Sequence, residues 1–321
     1  MSNPQWIEEL DLNSIPKGTF SNFRLRIISD PLGDSVSIPI MVAKGVEDGP
    51  VLGITAAVHG NELNGIPVIH RLFSELDAHE LRGTVLAVPV VNIPSFVRGI
   101  RYFPDGVDLN HIMPGSQNGN NSSIYAHRFL NRVVRHMDCL MDLHTASKGR
   151  INSYYIRADM NDQKTKELAL LQNADIIVNN PPSDGTLRGA AEGMGITAIT
   201  LELGDPSRFQ KRFIRSGVEG IHNVLAYLCM TDDQIDEGGD ETILCDESHW
   251  MYTQKGGLLT VHPDLGDLVD KDEKVATLKN VFGEILEVYR APEKGIVVGK
   301  SVEPVNQSGG RILHLGIVAN P

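Results

Sequence analysis

Apolar runs alternate with stretches of helical periodicity between residues 51 and 229 of this chain. The runs are nearly continuous in Val, Ile and Leu, which is typical of strands buried on both faces of a parallel sheet. The stretches between them place apolar side chains three and four residues apart, as in Ile66, Ile69 and Phe73, which favours helices packed on that sheet. The pattern predicts an α/β fold with a mixed, largely parallel sheet flanked by helices.

The predicted elements follow a β-rich start at residues 20–44. The predicted strands are 51–58, 84–91, 139–144, 176–178 and 197–203. The predicted helices are 62–76, 127–137, 165–174, 187–193 and 216–229. Two long connections, 92–121 and 145–162, are rich in Gly, Asn, Asp and Pro. Loops of that length are usually functional or disordered.

The pattern changes after residue 230. Residues 231–247 are acidic and contain Gly238-Gly239, which indicates a linker. Beyond them, short apolar runs are separated by Gly, Pro and Asp turns and show no helical periodicity. We therefore predict a first domain at 1–238, a linker at 239–248 and a small all-β domain at 249–321.

Composition and charge restrict the partners. The chain has 321 residues, 41% of them hydrophobic, and a net charge of −12, which fits a globular protein and argues against nucleic acid and anionic membranes as partners. No run approaches the roughly 20 apolar residues of a membrane span, and the start shows no signal peptide. The chain has three scattered cysteines, Cys139, Cys229 and Cys245. This pattern predicts that the protein is located in a reducing cytoplasm. A homo-oligomer is left open.

Polar side chains come at the ends of three predicted strands. His59 and Glu62 follow the first of these strands, His144 ends the third, and Glu202 lies near the end of the fifth. In open α/β sheets, ligands bind at the carboxyl ends of the strands. One helical turn would bring His59 and Glu62 side by side, where both can hold one metal ion.

Two imidazoles and one carboxylate form a zinc ligand set with a fourth position open, and a separate carboxylate can act as a base. The four residues therefore suggest metal-assisted hydrolysis of an acyl bond. In isolation, each has an alternative. A His-x-x-Glu pair such as His59 and Glu62 occurs by chance, His144 could bond to the backbone, and Glu202 could pair with an arginine or cap a helix. For Asp142, a bond to the backbone is favoured over a role beside His144.

Four motifs in this order resemble the succinylglutamate desuccinylase/aspartoacylase family, a branch of the zinc carboxypeptidase superfamily. They are His59–Glu62, Arg101-Tyr102 with Asp108–Asn110, Asp142–His144 and Leu201–Gly204. The resemblance covers nearly the whole chain, since family members also carry a C-terminal β domain. It implies a zinc-carboxypeptidase-like fold, one Zn²⁺ per chain, and a hydrolase that acts on carbon–nitrogen bonds other than peptide bonds.

The resemblance also implies roles for individual residues. The zinc ligands would be His59, Glu62 and His144, and the general base would be Glu202. Arg101 would stabilise the oxyanion, a suitable task for a fixed guanidinium.

One position departs from the family pattern. Asp108 would fix the tautomer of a zinc histidine, and Asn110 would contact the substrate. The next residue, His111, stands where the family carries an arginine that binds the substrate's carboxylate. Histidine lacks the bidentate fork of arginine and is only partly charged near neutral pH. Arg98 or Arg188 could supply the missing cation, although Arg188 also fits a solvated position on a helix.

The sequence thus predicts a zinc-dependent deacylase that cleaves a small N-acyl amino acid or a related N-acyl amine, using metal-activated water and a glutamate base. His111 argues against N-acetylaspartate or succinylglutamate as the substrate. A carboxypeptidase-like metallopeptidase and a non-catalytic zinc-binding protein are the alternatives. His111 and the β domain argue against the first, and the presence of Glu202 and Arg101 argues against the second.

Overall fold

The buried apolar runs form the centre of one large mixed sheet in the computed structural model, which describes residues 3–182, 185–236, 238 and 242–319. In chain order, the first strands are β1 (Gln5–Ile7), β2 (Thr19–Ser29), β3 (Ser35–Lys44), β4 (Glu47–Ala56), β5 (Arg82–Val88), β6 (Cys139–His144), β7 (Arg150–Asn152), β8 (Tyr154–Ala158), β9 (Ile176–Asn179) and β10 (Thr197–Leu203). The helices are α1 (Gly65–Glu75), α2 (Ile93–Arg98), α3 (Asn121–Arg132), α4 (Gln163–Leu170), α5 (Leu187–Gly193) and α6 (Lys211–Tyr227). Within the described ranges, none of these helices has the length and apolar character needed to cross a membrane.

The C-terminal part of the chain is all β, as predicted. Its strands are β11 (Ile243–Tyr252), β12 (Gly257–Val261), β13 (Leu268–Val269), β14 (Lys274–Lys279), β15 (Ile285–Arg290), β16 (Gly295–Ser301), β17 (Val305–Asn306) and β18 (Arg311–Val318). Strands β15, β14, β12 and β17 form a separate small antiparallel sheet. Strands β11, β18, β16 and β13 instead extend the large sheet, which has 14 strands within the described part of the chain.

Four parallel strands, in the order β5, β4, β6 and β10, form the centre of the large sheet. Alternate side chains of β5 serve opposite faces: Val85 and Ala87 pack in the cluster that includes α1 and α6, whereas Leu86 and Val88 pack with α3 and α5. Because both faces are covered, the central strands read as unbroken apolar runs. Their carboxyl ends meet at one edge, where the predicted site residues lie.

Several predicted elements agree closely with the structure. The strands 139–144 and 197–203 and the helix 187–193 have the predicted bounds. The helix predicted to begin at residue 62 begins at Gly65 instead, after Asn64. The connections predicted as loops contain helix α2 and strands β7 and β8. Strands β7 and β8 are short and pair with β16 and β10, so distant partners rather than a local pattern define them.

Most of the predicted linker at 239–248 lies in a strand in the structure. Residues 239–241 lie outside the described ranges, and residues 243–248 belong to strand β11. Ile243, Leu244 and Cys245 pair in parallel with β9, and β11 also pairs with β18. The large sheet therefore continues from the first part of the chain into the C-terminal part, and the predicted domain boundaries stay a prediction.

A chain cut after residue 236 tests whether the two parts are independent. The cut removes the apolar partners of Ile176 and Val178, which pack against Cys245, Ile296 and Val298. Exposing these two side chains should cost about 3–6 kcal/mol of folding free energy and leave an open sheet edge. We expect the cut chain to aggregate or melt well below the full-length control in size-exclusion chromatography and circular dichroism. A monomer that melts at the full-length temperature would show two independent domains.

Candidate active site

The chain turns sharply after β4, and this turn carries two of the predicted ligands. Ala57 has a φ of 51°, in the left-handed region that non-glycine residues rarely adopt. Asn92 holds the turn from the loop after β5, because its backbone N–H donates to the Ala57 carbonyl and its side chain donates to the Val58 carbonyl, each at 3.0 Å. The Glu62 N–H donates to the His59 carbonyl at 3.1 Å. His59 and Glu62 are therefore brought together by a turn and not by a helix.

Strand register brings in the other two predicted residues. Strands β6 and β10 run in parallel with His144 opposite Glu202. Residues opposite each other on neighbouring strands are close and project from the same face of the sheet. Strand β4 also pairs with β6. The turn after β4 therefore completes the group at the carboxyl ends of the central strands.

His59, Glu62 and His144 are buried and converge on one point. The Nδ1 atom of His59 lies 3.0 Å from Oε1 of Glu62, and that of His144 lies 2.9 Å from Oε2. One donor atom from each residue lies within 4.8 Å of the others. Burial alone would raise the pKa of Glu62, but the two imidazoles outweigh it and hold that pKa well below its usual range. The carboxylate is therefore charged, as a metal ligand must be.

Each imidazole is oriented by a carboxylate on its far side. The Nε2 N–H of His59 donates to Asp108 at 2.9 Å, and that of His144 donates to Asp142 at 2.8 Å. Asp142 also accepts a hydrogen bond from Thr55 Oγ1 at 2.7 Å, so the preference for a backbone role of Asp142 is corrected. Both Nδ1 atoms thus face the Glu62 oxygens, and the two ring nitrogens together with the carboxylate form the kind of donor set that zinc prefers.

Arg101 lies against this set. Its Nη1 atom donates to Glu62 at 2.9 Å and to Ser147 at 2.6 Å, and its Nε atom donates to Asp108 at 2.8 Å. Its Nη1 atom also lies 3.3 Å from Nδ1 of His59, so four partners hold the guanidinium at the edge of the cavity. Asp108 therefore orients both His59 and Arg101.

Glu202 has partners that the sequence did not predict. Asn152 Nδ2 donates to Oε2 at 3.1 Å, and Arg157 Nε lies 3.6 Å from Oε1. Arg157 in turn donates to the Tyr155 hydroxyl at 2.7 Å. Burial raises the pKa of Glu202, and the charge of Arg157 opposes this without cancelling it. These partners lie in the region predicted as a loop, where the run Tyr154–Ile156 was the available signal for a strand.

A cavity of about 360 Å³ joins these groups. Eight of the predicted site residues line it: His59, Glu62, Arg101, Asn110, His111, His144, Arg188 and Glu202. Arg98 does not, because it lies exposed at the C-terminal end of α2, so the prediction that it supplies a cation to the site is corrected. A larger cavity of about 540 Å³ lies at the opposite ends of the strands, near Cys139 and Thr197, and contains none of the predicted residues.

The predicted substrate-binding residues differ in their freedom. Asn110 is held by the Leu187 N–H, which donates to its Oδ1 at 2.7 Å. Arg188 is only 3% exposed and donates to Asn180 at 2.8 Å and to Glu192 at 3.3 Å, so the alternative of a solvated helix arginine is wrong. The His111 side chain is 71% exposed at the rim.

Comparison with known proteins adds an independent observation. Residues 48–228, more than half of the chain, match the model of the succinylglutamate desuccinylase/aspartoacylase catalytic domain. The chain belongs to this family. The resemblance seen in its motifs is thereby confirmed, and so is the predicted fold class.

Relatives in this family include deacylases. N-alpha-acetyl-L-2,4-diaminobutyric acid deacetylase of Halomonas elongata is 25% identical over 279 residues, which cover 83% of this chain and 81% of the relative. The product-bound structure of the ectoine utilization protein EutE from Ruegeria pomeroyi aligns with a TM-score of 0.86 and 25% identity over 95% of this chain and 97% of that one. A succinylglutamate desuccinylase/aspartoacylase structure from Rhodobacter sphaeroides, with a TM-score of 0.85 and 24% identity over 98% of this chain and 100% of that one, shares the fold.

Gly60 permits the close approach of the ligand turn to α2. A Cβ atom there would lie 2.1 Å from the Ser95 carbonyl carbon and 2.2 Å from the Phe96 nitrogen. We expect Gly60→Ala to destabilise the fold by about 1–3 kcal/mol and to lower the amount of metal retained, as measured by thermal melting and elemental analysis.

The matched control is Gly193→Ala, where an added Cβ meets no atom within 4 Å. Alanine is favoured over glycine in a helix by up to about 1 kcal/mol, so this variant should match or exceed the wild-type stability. Wild-type stability and metal content in Gly60→Ala would contradict the role given to the close approach.

Proposed function

We propose that this protein is a zinc-dependent amide hydrolase that removes the acyl group from a small N-acyl amino acid. The observation that carries the proposal is one cavity in which the buried Glu202 carboxylate stands beside the converging His59, Glu62 and His144 side chains. The names of the relatives, which are deacylases, support cleavage of an amide. The three free thiols support a reducing, cytoplasmic location.

His59 and His144, through Nδ1, and Glu62, through its carboxylate, would hold the zinc ion. A bound zinc ion supplies Lewis acidity, which polarises the scissile carbonyl and makes a neighbouring water more acidic. Asp108 and Asp142 keep the two imidazoles in the tautomer that this role requires.

Glu202 is the proposed general base. Its carboxylate takes a proton from the attacking water and later delivers it to the nitrogen of the leaving amine. Asn152 and Arg157 fix the orientation of the carboxylate. Burial raises its pKa and so stabilises the protonated carboxyl that forms during the reaction. This suits a group that must first accept and then donate a proton.

Arg101 is the proposed stabiliser of the oxyanion. Negative charge develops on the carbonyl oxygen as the water attacks, and a guanidinium that is already fixed needs no reorganisation to meet it. The bonds from Arg101 to Asp108 and Ser147 provide this fixation. Asn110 and Arg188, on the cavity wall, are proposed to contact the substrate.

Substrate profiling tests this function against its alternatives. We expect N-acetyl or N-succinyl amino acids to be hydrolysed in preference to C-terminal dipeptides, with activity lost on chelation and restored by zinc. Release of amine is measured for each compound before chelation, after chelation and after zinc addition. Faster cleavage of the dipeptides would indicate a peptidase, and stoichiometric zinc without any turnover would indicate a non-catalytic zinc-binding protein.

Glu202→Gln is the matched inactive variant for this assay. Loss of the base should lower kcat by about 10²–10⁴-fold, while the zinc content stays unchanged because Glu202 is outside the proposed ligand set. Glu219→Gln on the exposed face of α6 serves as the surface control. Retained activity in Glu202→Gln would remove this residue from the role of base.

The pH profile tests the contact between Arg157 and Glu202. The base must be ionised, so the rate falls as the pH drops through its pKa. Arg157 lowers that pKa, and Arg157→Gln should therefore move the acidic limb of kcat/KM to higher pH, by about one unit or more. Arg157→Lys retains the charge and should keep the limb near the wild-type position. An unmoved limb in Arg157→Gln would show that another group controls it.

A further inference from the structure

Among the residues that the structure describes, two arginines line the active-site cavity without a carboxylate partner. Arg101, Arg157 and Arg188 each lie within 4.0 Å of a glutamate or aspartate. Arg150 on β7 and Arg311 on β18 also line the cavity, and neither forms an ion pair with any residue in the described ranges. These two side chains therefore bring to the cavity positive charge that no carboxylate in the described part of the chain pairs with.

Both guanidinium groups are braced on one indole. The Cζ atom of Arg311 lies 5.1 Å from the centre of the Trp250 ring, and that of Arg150 lies 5.4 Å from it. Trp250 is itself stacked on His314, with ring centroids 5.0 Å apart and planes 9° apart. Stacking on a ring restrains a guanidinium through its face and leaves its N–H donors available in the plane.

The surroundings of these arginines favour an anion. Burial lowers the pKa of Arg311, and the charge of Arg101 lowers it further. His314 carries no compensating or additional charge, because burial and the nearby arginines hold its pKa well below its usual range. A carboxylate bound in this part of the cavity would offset the repulsion between Arg101 and Arg311.

We propose that Arg150 and Arg311, braced by Trp250, form a carboxylate subsite that binds the carboxylate of the amino-acid part of the substrate. This inference rests on the proposed deacylase function. It accounts for His111, whose exposed imidazole lies 3.9 Å from Asp108 and offers no bidentate fork. Arg188 is less suited to the task, because its charge already meets Glu192.

The subsite exists only where the two parts of the chain meet. Strand β7, which carries Arg150, pairs with β16 of the C-terminal part, and Trp250 and Arg311 lie on the paired strands β11 and β18. The C-terminal part thereby supplies residues that select the substrate, in addition to walls that narrow the cavity.

The kinetic test compares an N-acetyl amino acid that the wild-type protein hydrolyses with the α-carboxamide of the same compound. Arg150→Gln, Arg311→Gln and the double variant should lower kcat/KM for the carboxylate substrate by about 10–100-fold, the range for hydrogen bonds to a charged group. Turnover of the carboxamide should stay near wild type. Equal losses for both compounds would overturn the subsite, since they would indicate a structural role.

Arg212→Gln is the control variant. Arg212 also stacks on an aromatic ring, that of Phe213 at 5.8 Å, but it is 70% exposed and does not line the cavity. It should leave the preference for the carboxylate unchanged. Melting temperatures of all variants establish that they are folded, and Arg311→Lys, which keeps the charge but not the fork, should retain part of the preference.

A binding measurement separates this inference from the proposed function. Calorimetric titration of the purified full-length protein compares succinate with its monoamide, succinamate, so that any contribution of the first carboxylate is shared. We expect tighter binding of succinate by the wild-type protein and no such preference in the folded double variant. This result would support the subsite even if every N-acyl compound failed as a substrate. A preference that persists in the double variant, or is absent in the wild type, would overturn it.

Discussion

The buried Glu62 carboxylate is the interaction on which the candidate site depends. One of its oxygens faces His59 and Arg101, and the other faces His144. Removing one partner of a buried charge typically costs about 3–5 kcal/mol, because the other charge stays buried without compensation. The turn after β4, the end of β6 and the Arg101 loop are therefore tied to one another through a single carboxyl group, and the proposed zinc ligands owe their convergence to it.

The sequence predicts the features that short local patterns determine. Unbroken apolar runs identify the central strands, and polar residues at their ends identify His59, Glu62, His144 and Glu202 as one group, because parallel strands share an edge. Asn152, Arg157 and Trp250 were beyond this reasoning. Their positions depend on the pairing of β7, β8 and β11 with strands distant in sequence, and no local pattern specifies such partners. The strand at 243–252 was missed for the same reason. Its pairing partners, β9 and β18, are distant in sequence, and acidic neighbours hide its apolar residues from a local pattern.

The continuous sheet links the C-terminal part to the proposed base. Trp250 stacks on His314, His314 meets the edge of Tyr155 at 5.9 Å, and the Tyr155 hydroxyl accepts hydrogen bonds from Arg157. Arg157 lies beside Glu202. Burial keeps His314 neutral, so Trp250, His314 and Tyr155 act on Arg157 through packing contacts rather than through charge. The orientation of Arg157, and through it the environment of Glu202, therefore depends on Trp250 and His314, which lie 93 and 157 positions from Arg157 in the sequence.

The arginines of the cavity fall into two groups. Those paired with an acidic side chain suit the chemical step, and those without such a pair among the described residues suit selection of a substrate. Arg101 and Arg157 meet acidic groups of the proposed catalytic set, so their charges balance a site that must stay intact whatever the substrate is. Arg150 and Arg311 meet no such group within the described residues, and a carboxylate of the ligand is the partner that we propose for them. Under this proposal, the cation that the family pattern places at position 111 comes from another wall of the same cavity. Selectivity for the substrate can change in this way while the arrangement of His59, Glu62, His144 and Glu202 stays the same.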